Sequence, residues 1–146
     1  MELPKDGIRE LMKNAVSVGD VYLLRMTEAD GVTPKDGGNS RNKFFVVLGF
    51  DNKGNIYGGV VVNSSINQRM PQSITDCYMP ISCKKYPFLQ HDSFVNCANL
   101  KTKPMEGFIG AKRLGVIEDD DIALIKATVV NSPNEKRARL KQFGLI

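Results

Sequence analysis

At 146 residues the chain has the usual length of one domain, and it can bury a core without disulfides or a structural metal. Its composition, 42% hydrophobic and 25% charged, is ordinary for a globular protein, and no apolar run is long enough to span a bilayer. The formal charge of +4 permits a polyanionic partner without demanding one. The start, Met1-Glu2-Leu3-Pro4-Lys5-Asp6, lacks a basic segment followed by an apolar one, so no secretory leader is expected. Cys77, Cys83 and Cys97 are an odd set whose spacing fits no zinc pattern, and the lone histidine, His91, cannot complete one. Free thiols in a reducing, cytoplasmic compartment are expected, with no metal and no cofactor.

In chain order, residues 5–15 carry Ile8, Leu11 and Met12 at helical spacing, which predicts a short helical turn in an N-terminal extension, 1–17. Gly19-Asp20 opens a first strand at Val21-Tyr22-Leu23-Leu24. The polar stretch 27–42 holds Gly31, Pro34, Gly37 and Gly38 without periodicity, and reads as a long loop that moves and closes over a ligand. Residues 44–50 and 56–63 are rich in β-formers and flank the turn sequence Asp51-Asn52-Lys53-Gly54-Asn55, so they predict a buried hairpin. Gly58-Gly59 inside the second strand predicts a bend of the kind a small barrel needs. Further strands are expected at 78–81, 93–97 and about 100–103. A helix is expected at about 119–130, where Ile122, Ile125 and Val129 share a face. The acidic run Glu118-Asp119-Asp120-Asp121 suits the first turn of that helix and needs no metal to explain it. Asn131-Ser132-Pro133 ends the helix, and a basic C-terminal tail, 131–146, follows, with a last basic helical segment expected within 134–146. The fold class expected is mainly β with α, in a single domain spanning 1–146: a small antiparallel barrel with a C-terminal helix.

Four stretches, in order, carry a resemblance: Gly19-Asp20-Val21-Tyr22; Arg41-Asn42-Lys43 with the apolar strand after it; Val61-Val62-Asn63-Ser64-Ser65; and Asp92-Ser93-Phe94-Val95-Asn96, followed by Gly115-Val116-Ile117 and the helix. Together they resemble the PemK/MazF-like family, the toxin ribonucleases of bacterial toxin–antitoxin systems. Lys43 stands where that family has its catalytic arginine, Phe44 where it has proline, and Ser64 where it has threonine. Lysine at this position is also similar to the toxins of RNA-antagonised systems. The resemblance implies an SH3-like barrel, a homodimer, metal-free cleavage of single-stranded RNA, and control by an antitoxin protein or antitoxin RNA.

Metal-free cleavage drives the 2′-hydroxyl onto its own phosphate, and needs a proton acceptor, a proton donor and positive charge on the phosphorane. Arg41 and Lys43, two apart on an extended strand, share a face. Lys43 is expected to stabilise the phosphorane with Arg41 assisting, because lysine is a poor base unless burial lowers its pKa. Ser64 completes this catalytic set, Ser65 is expected to bind phosphate oxygens, and Asn63, Asn67 and Arg69 to bind RNA. His91 and Asp92 are candidate acid–base groups by residue type. Tyr78, Phe88 and Phe94 are candidates to stack on bases. Two other readings remain: a non-catalytic nucleic-acid- or protein-binding module of the same fold, and a structural or assembly module.

Overall fold

The hairpin predicted around Asp51–Asn55 forms because its turn chemistry works. Asp51 Oδ1 accepts the backbone N–H groups of Asn55 at 2.7 Å and Ile56 at 3.2 Å, while Gly54 takes φ of 69°. The computed structural model describes residues 16–33, 38 and 40–146. Around the hairpin, those residues form strands β1 (Asp20–Thr27), β2 (Ser40–Phe50), β3 (Ile56–Asn63), β4 (Tyr78–Ile81), β5 (Ser93–Pro104) and β6 (Arg113–Val116). Helices α1 (Gln72–Thr75), α2 (Asp119–Val130) and α3 (Arg137–Gln142) accompany them, with 3₁₀ turns at Glu28–Asp30 and Met105–Phe108.

All six strands join one antiparallel sheet in the order β4-β5-β3-β2-β1-β6. The sheet is not closed: β4 and β6 are its two edges. The bend expected at Gly58-Gly59 appears as register shifts, between Val47 and Gly49 on β2 and between Gly59 and Val61 on β3. A Cβ at Gly59 would lie 2.1 Å from the Val46 carbonyl oxygen, and one at Gly58 would lie 2.7 Å from the Phe143 ring. Only glycine permits both approaches.

Each face of the sheet buries its own core. On one, Val46, Leu48, Val60 and Val62 pack against Ile122, Ile125 and Val129 of α2 and against Leu140 and Phe143. On the other, Phe45, Val47 and Val61 pack with Tyr22, Met26, Tyr57 and Phe108. Alternation along β2 and β3 assigns neighbouring residues to opposite cores, which is why both strands read as continuous apolar runs. The predicted helix runs Asp119–Val130 with the expected residues inward. Its acidic first turn is tied down where Lys85 meets Glu118 at 3.0 Å and Asp121 at 2.9 Å, and where the Tyr86 hydroxyl donates to Asp121.

The structure differs from the sequence reading in the count of strands and in the extent of the first loop. The two strands expected at 93–97 and 100–103 are one, β5, interrupted by the shift opposite Gly59/Val61. The basic tail contains α3, the helical segment expected there, and it docks through Leu140 and Phe143, both 3% exposed. The β1–β2 ladder extends to Thr27↔Ser40, so pairing takes up both ends of the expected loop. Residues 34–37 and 39, on which the closing-loop expectation falls, and the helical turn expected at 5–15, lie outside the described residues.

Candidate functional site

Arg41, Lys43, Phe45 and Val47 alternate onto one face of β2. Phe45 and Val47 fill the second core, so the same face continues past it into open space at Lys43 and Arg41. The register Phe45↔Val61 carries Asn63 alongside Lys43, and Val61↔Asn96 and Tyr78↔Asn96 bring β5 and β4 to the same end. The result is a cleft of about 600 Å³ lined by Arg41, Lys43, Asn63, Ser64, Ser65, Asn67, Tyr78, Asn96 and Lys101, with Gly31–Thr33 at its margin. Among the described residues, its lining has three cations and no carboxylate.

Two of these cations are nearly buried: Lys43 is 8% exposed and Lys101 9%. The Lys43 ammonium donates to Asn63 Oδ1, and that of Lys101 donates to Asn99 Oδ1 at 3.1 Å. Neither belongs to an ion pair among the described residues. Burial, reinforced by the charges of Arg41 and Lys101, pushes the Lys43 pKa down to about 8. Burial and then Arg139 push Lys101 down too, with Glu135 opposing. Holding an ammonium out of water without a counter-ion is costly, so the cleft is primed for an anion that would offset that cost.

The rim is softer. Ser64, Ser65 and Asn67 are exposed in the segment after β3. Tyr78 is buried beside them, its hydroxyl near Asn63 and 3.8 Å from Met70 Sδ. Six of the seven residues expected to act on RNA (Arg41, Lys43, Asn63, Ser64, Ser65 and Asn67) thus line one cleft. The seventh, Arg69, is exposed and lines neither this cleft nor its neighbour; its backbone N–H donates to Asn67 Oδ1 at 3.0 Å.

That neighbour is a hollow of about 370 Å³, reached across Lys43 and Ser64, where His91 sits with Leu23, Phe44 and Ser93. His91 Nδ1 lies 2.9 Å from the Asp92 carbonyl oxygen, so a proton on Nδ1 leaves Nε2 free to accept. His91 therefore flanks the cleft without lining it. Asp92 lines neither hollow; its carboxylate accepts the Cys83 backbone N–H at 3.0 Å, a bond that holds its pKa below the usual carboxylate value. Phe88 is engaged with Phe44, ring centroids 5.5 Å apart.

Lys101 and Asn96 are the residues sequence reasoning missed. Lys101 lies in a run, Leu100-Lys101-Thr102-Lys103, that reads as a solvated strand. Its inward direction depends on the register shift in β5, which no local pattern encodes. Compared with protein-family models and with curated proteins, the chain matches none.

Proposed function

We propose that this chain is a toxin-like, metal-independent endoribonuclease that cuts single-stranded RNA in the cleft between β2, β3 and β5. One observation carries the reading: two nearly buried lysines beside Arg41 and Ser64, in a cleft where the described residues supply neither an ion-pair partner for them nor a carboxylate in the lining. RNA phosphate supplies the missing negative charge. The bent antiparallel sheet fits a mainly β fold, and the resemblance adds the SH3-like barrel, a cytoplasmic setting and an antitoxin that blocks the cleft.

The roles follow from the electrostatics. With a pKa of about 8, roughly one Lys43 in ten is neutral at pH 7, and a neutral amine accepts the 2′-hydroxyl proton. Burial thus moves Lys43 from the charge-supplying role expected of an exposed lysine to that of general base. Arg41 holds the phosphorane through its forked donors. The Ser64 hydroxyl donates to a non-bridging oxygen. Attack forms the 2′-O–P bond and breaks P–O5′, leaving a 2′,3′-cyclic phosphate and a 5′-hydroxyl.

Incubation of the protein with single-stranded RNA in EDTA tests this. Fragments ending in cyclic phosphate are expected, at a rate that rises about tenfold per pH unit below pH 8 and flattens near it, as Lys43 deprotonates. Intact RNA at every pH would leave the second reading, a nucleic-acid-binding module, which the same cations support; its mark is RNA affinity that falls steeply with salt.

Homodimerisation is part of the proposal. The short edge strand β4 offers unpaired backbone that a second copy can cover. Sedimentation at micromolar concentration is expected to give a dimer, and a monomer throughout would remove this element.

A further inference from the structure

Lys43 has a counterpart across the cleft, Lys101. Lys101 enters the lining from β5, directly opposite Gly59 in the sheet register. Its stem is clamped: Gly31, at φ of 93°, packs so closely that a Cβ there would lie 3.1 Å from Lys101 Cδ. Its ammonium has three N–H groups, of which Asn99 Oδ1 accepts one. The remaining donors have no partner among the described residues.

Cleavage also needs a proton for the departing 5′-oxygen. Among the described residues that line the cleft, the proton carriers are Arg41, Lys43, Lys101, Tyr78 and the hydroxyls of Thr33, Ser64 and Ser65, aliphatic alcohols that are all far too weak as acids. Arginine does not give up its proton in this range, and burial makes the Tyr78 phenol a weaker acid still. Lys43 is committed to the 2′-hydroxyl. We propose that Lys101 is the general acid, delivering its proton to the 5′-oxygen while Lys43 takes the proton from the 2′-oxygen. This assignment rests on the endoribonuclease reading.

The surroundings of the two lysines support that division. The charges acting on Lys43 come from Arg41 and Lys101, both positive, so they drive its proton away. Burial, the largest influence, and then Arg139 lower the Lys101 pKa as well, but Glu135 opposes them, so Lys101, unlike Lys43, has an acid nearby that helps it to keep its proton. The step balances. The 2′-O–P bond forms as P–O5′ breaks, Lys43 ends as the ammonium and Lys101 as the amine, and exchange with water restores both.

A leaving-group experiment tests the assignment. The linkage that wild-type protein cuts in a single-stranded RNA pool is first mapped. Two oligonucleotides of that sequence are then made, one ordinary and one with sulfur replacing the bridging 5′-oxygen at the linkage. A thiolate leaves without protonation, so loss of a general acid is repaired by the sulfur substrate. Lys101→Met, verified as folded by circular dichroism, is expected to cut the ordinary RNA on the order of a hundredfold more slowly. On the sulfur substrate it should come within about threefold of wild type, whereas Lys43→Met should fail on both. Equal losses on both substrates would make Lys101 a phosphate-binding group only, and undiminished cleavage of ordinary RNA would remove it from the reaction. Either result overturns this inference and leaves the endoribonuclease reading standing. Wild-type protein that cuts no RNA overturns both.

Discussion

Lys43→Met is expected to lose cleavage by a hundredfold or more while making the protein harder to unfold. Methionine fills nearly the same volume without a charge, so the variant removes the base and the desolvation cost together. The sign follows from the depressed pKa. Between about 8 and the ordinary 10.5, the unfolded chain binds a proton at Lys43 that the folded chain does not, so wild-type stability contributed by this group rises with pH across that window. Below pH 8 the full penalty stands. It amounts to roughly 3 kcal/mol as an upper bound, and a gain of about 1–3 kcal/mol for the variant at pH 7 is the expected result. Urea midpoints of both proteins at pH 7 and above pH 10 measure it: the gap should shrink at the higher pH. A constant gap, or none, would show that the ammonium reaches water and that the low pKa is wrong. Lys43→Arg adds the chemical control. It keeps the positive charge but cannot accept a proton, so cleavage should be lost if Lys43 is the base and retained if it only supplies charge.

Phe143→Ala is expected to produce the largest loss of stability, about 3–5 kcal/mol. Phe143 is 3% exposed and presses its ring onto the strand where Gly58 lacks a Cβ, so truncation opens a cavity against backbone that cannot collapse into it. For a chain of this size the melting temperature should fall by roughly 10 °C or more. The effect reaches the cleft through α3, because Arg139 donates to the Leu100 carbonyl oxygen at 2.8 Å, next to Lys101. A fall of only a degree or two in a calorimetric scan would mean that α3 is a decoration on the fold.

How much was legible in the sequence depends on whether the signal was local. The hairpin strand Ile56–Asn63 and the helix Asp119–Val130 were readable because turn chemistry, β-former density and a helical stripe are encoded within a few residues. Arg41 and Lys43 could be placed on one face for the same reason. Lys101 could not. Two apparent strands were one, and the irregularity between them, opposite Gly59 and Val61, decides which side chains turn inward. That shift shows only in the pairing of β5 with β3, some forty residues earlier in the chain. The tail was legible only as a basic helical segment: half of Arg137–Gln142 is basic, and the docking of Leu140 and Phe143 is what shows it to be part of the core. The sheet's open edges were hidden too, since strand patterning fixes pairing faces but not closure.

The central place of β3 has a consequence for how the cleft can change. β3 is hydrogen-bonded on both sides, to β2 and to β5, and its valines are buried in both cores. Asn63 is its last residue, so the stiffest strand of the sheet ends at the cleft, and Ser64, Ser65 and Asn67 follow with no strand partner. An incoming anion therefore meets a floor that cannot adjust and a border that can. Substitutions in the floor trade directly against the integrity of the whole sheet, whereas those along the border are cheap. Divergence between descendants of this chain would accumulate at the border first, retuning what enters while leaving intact what happens to it.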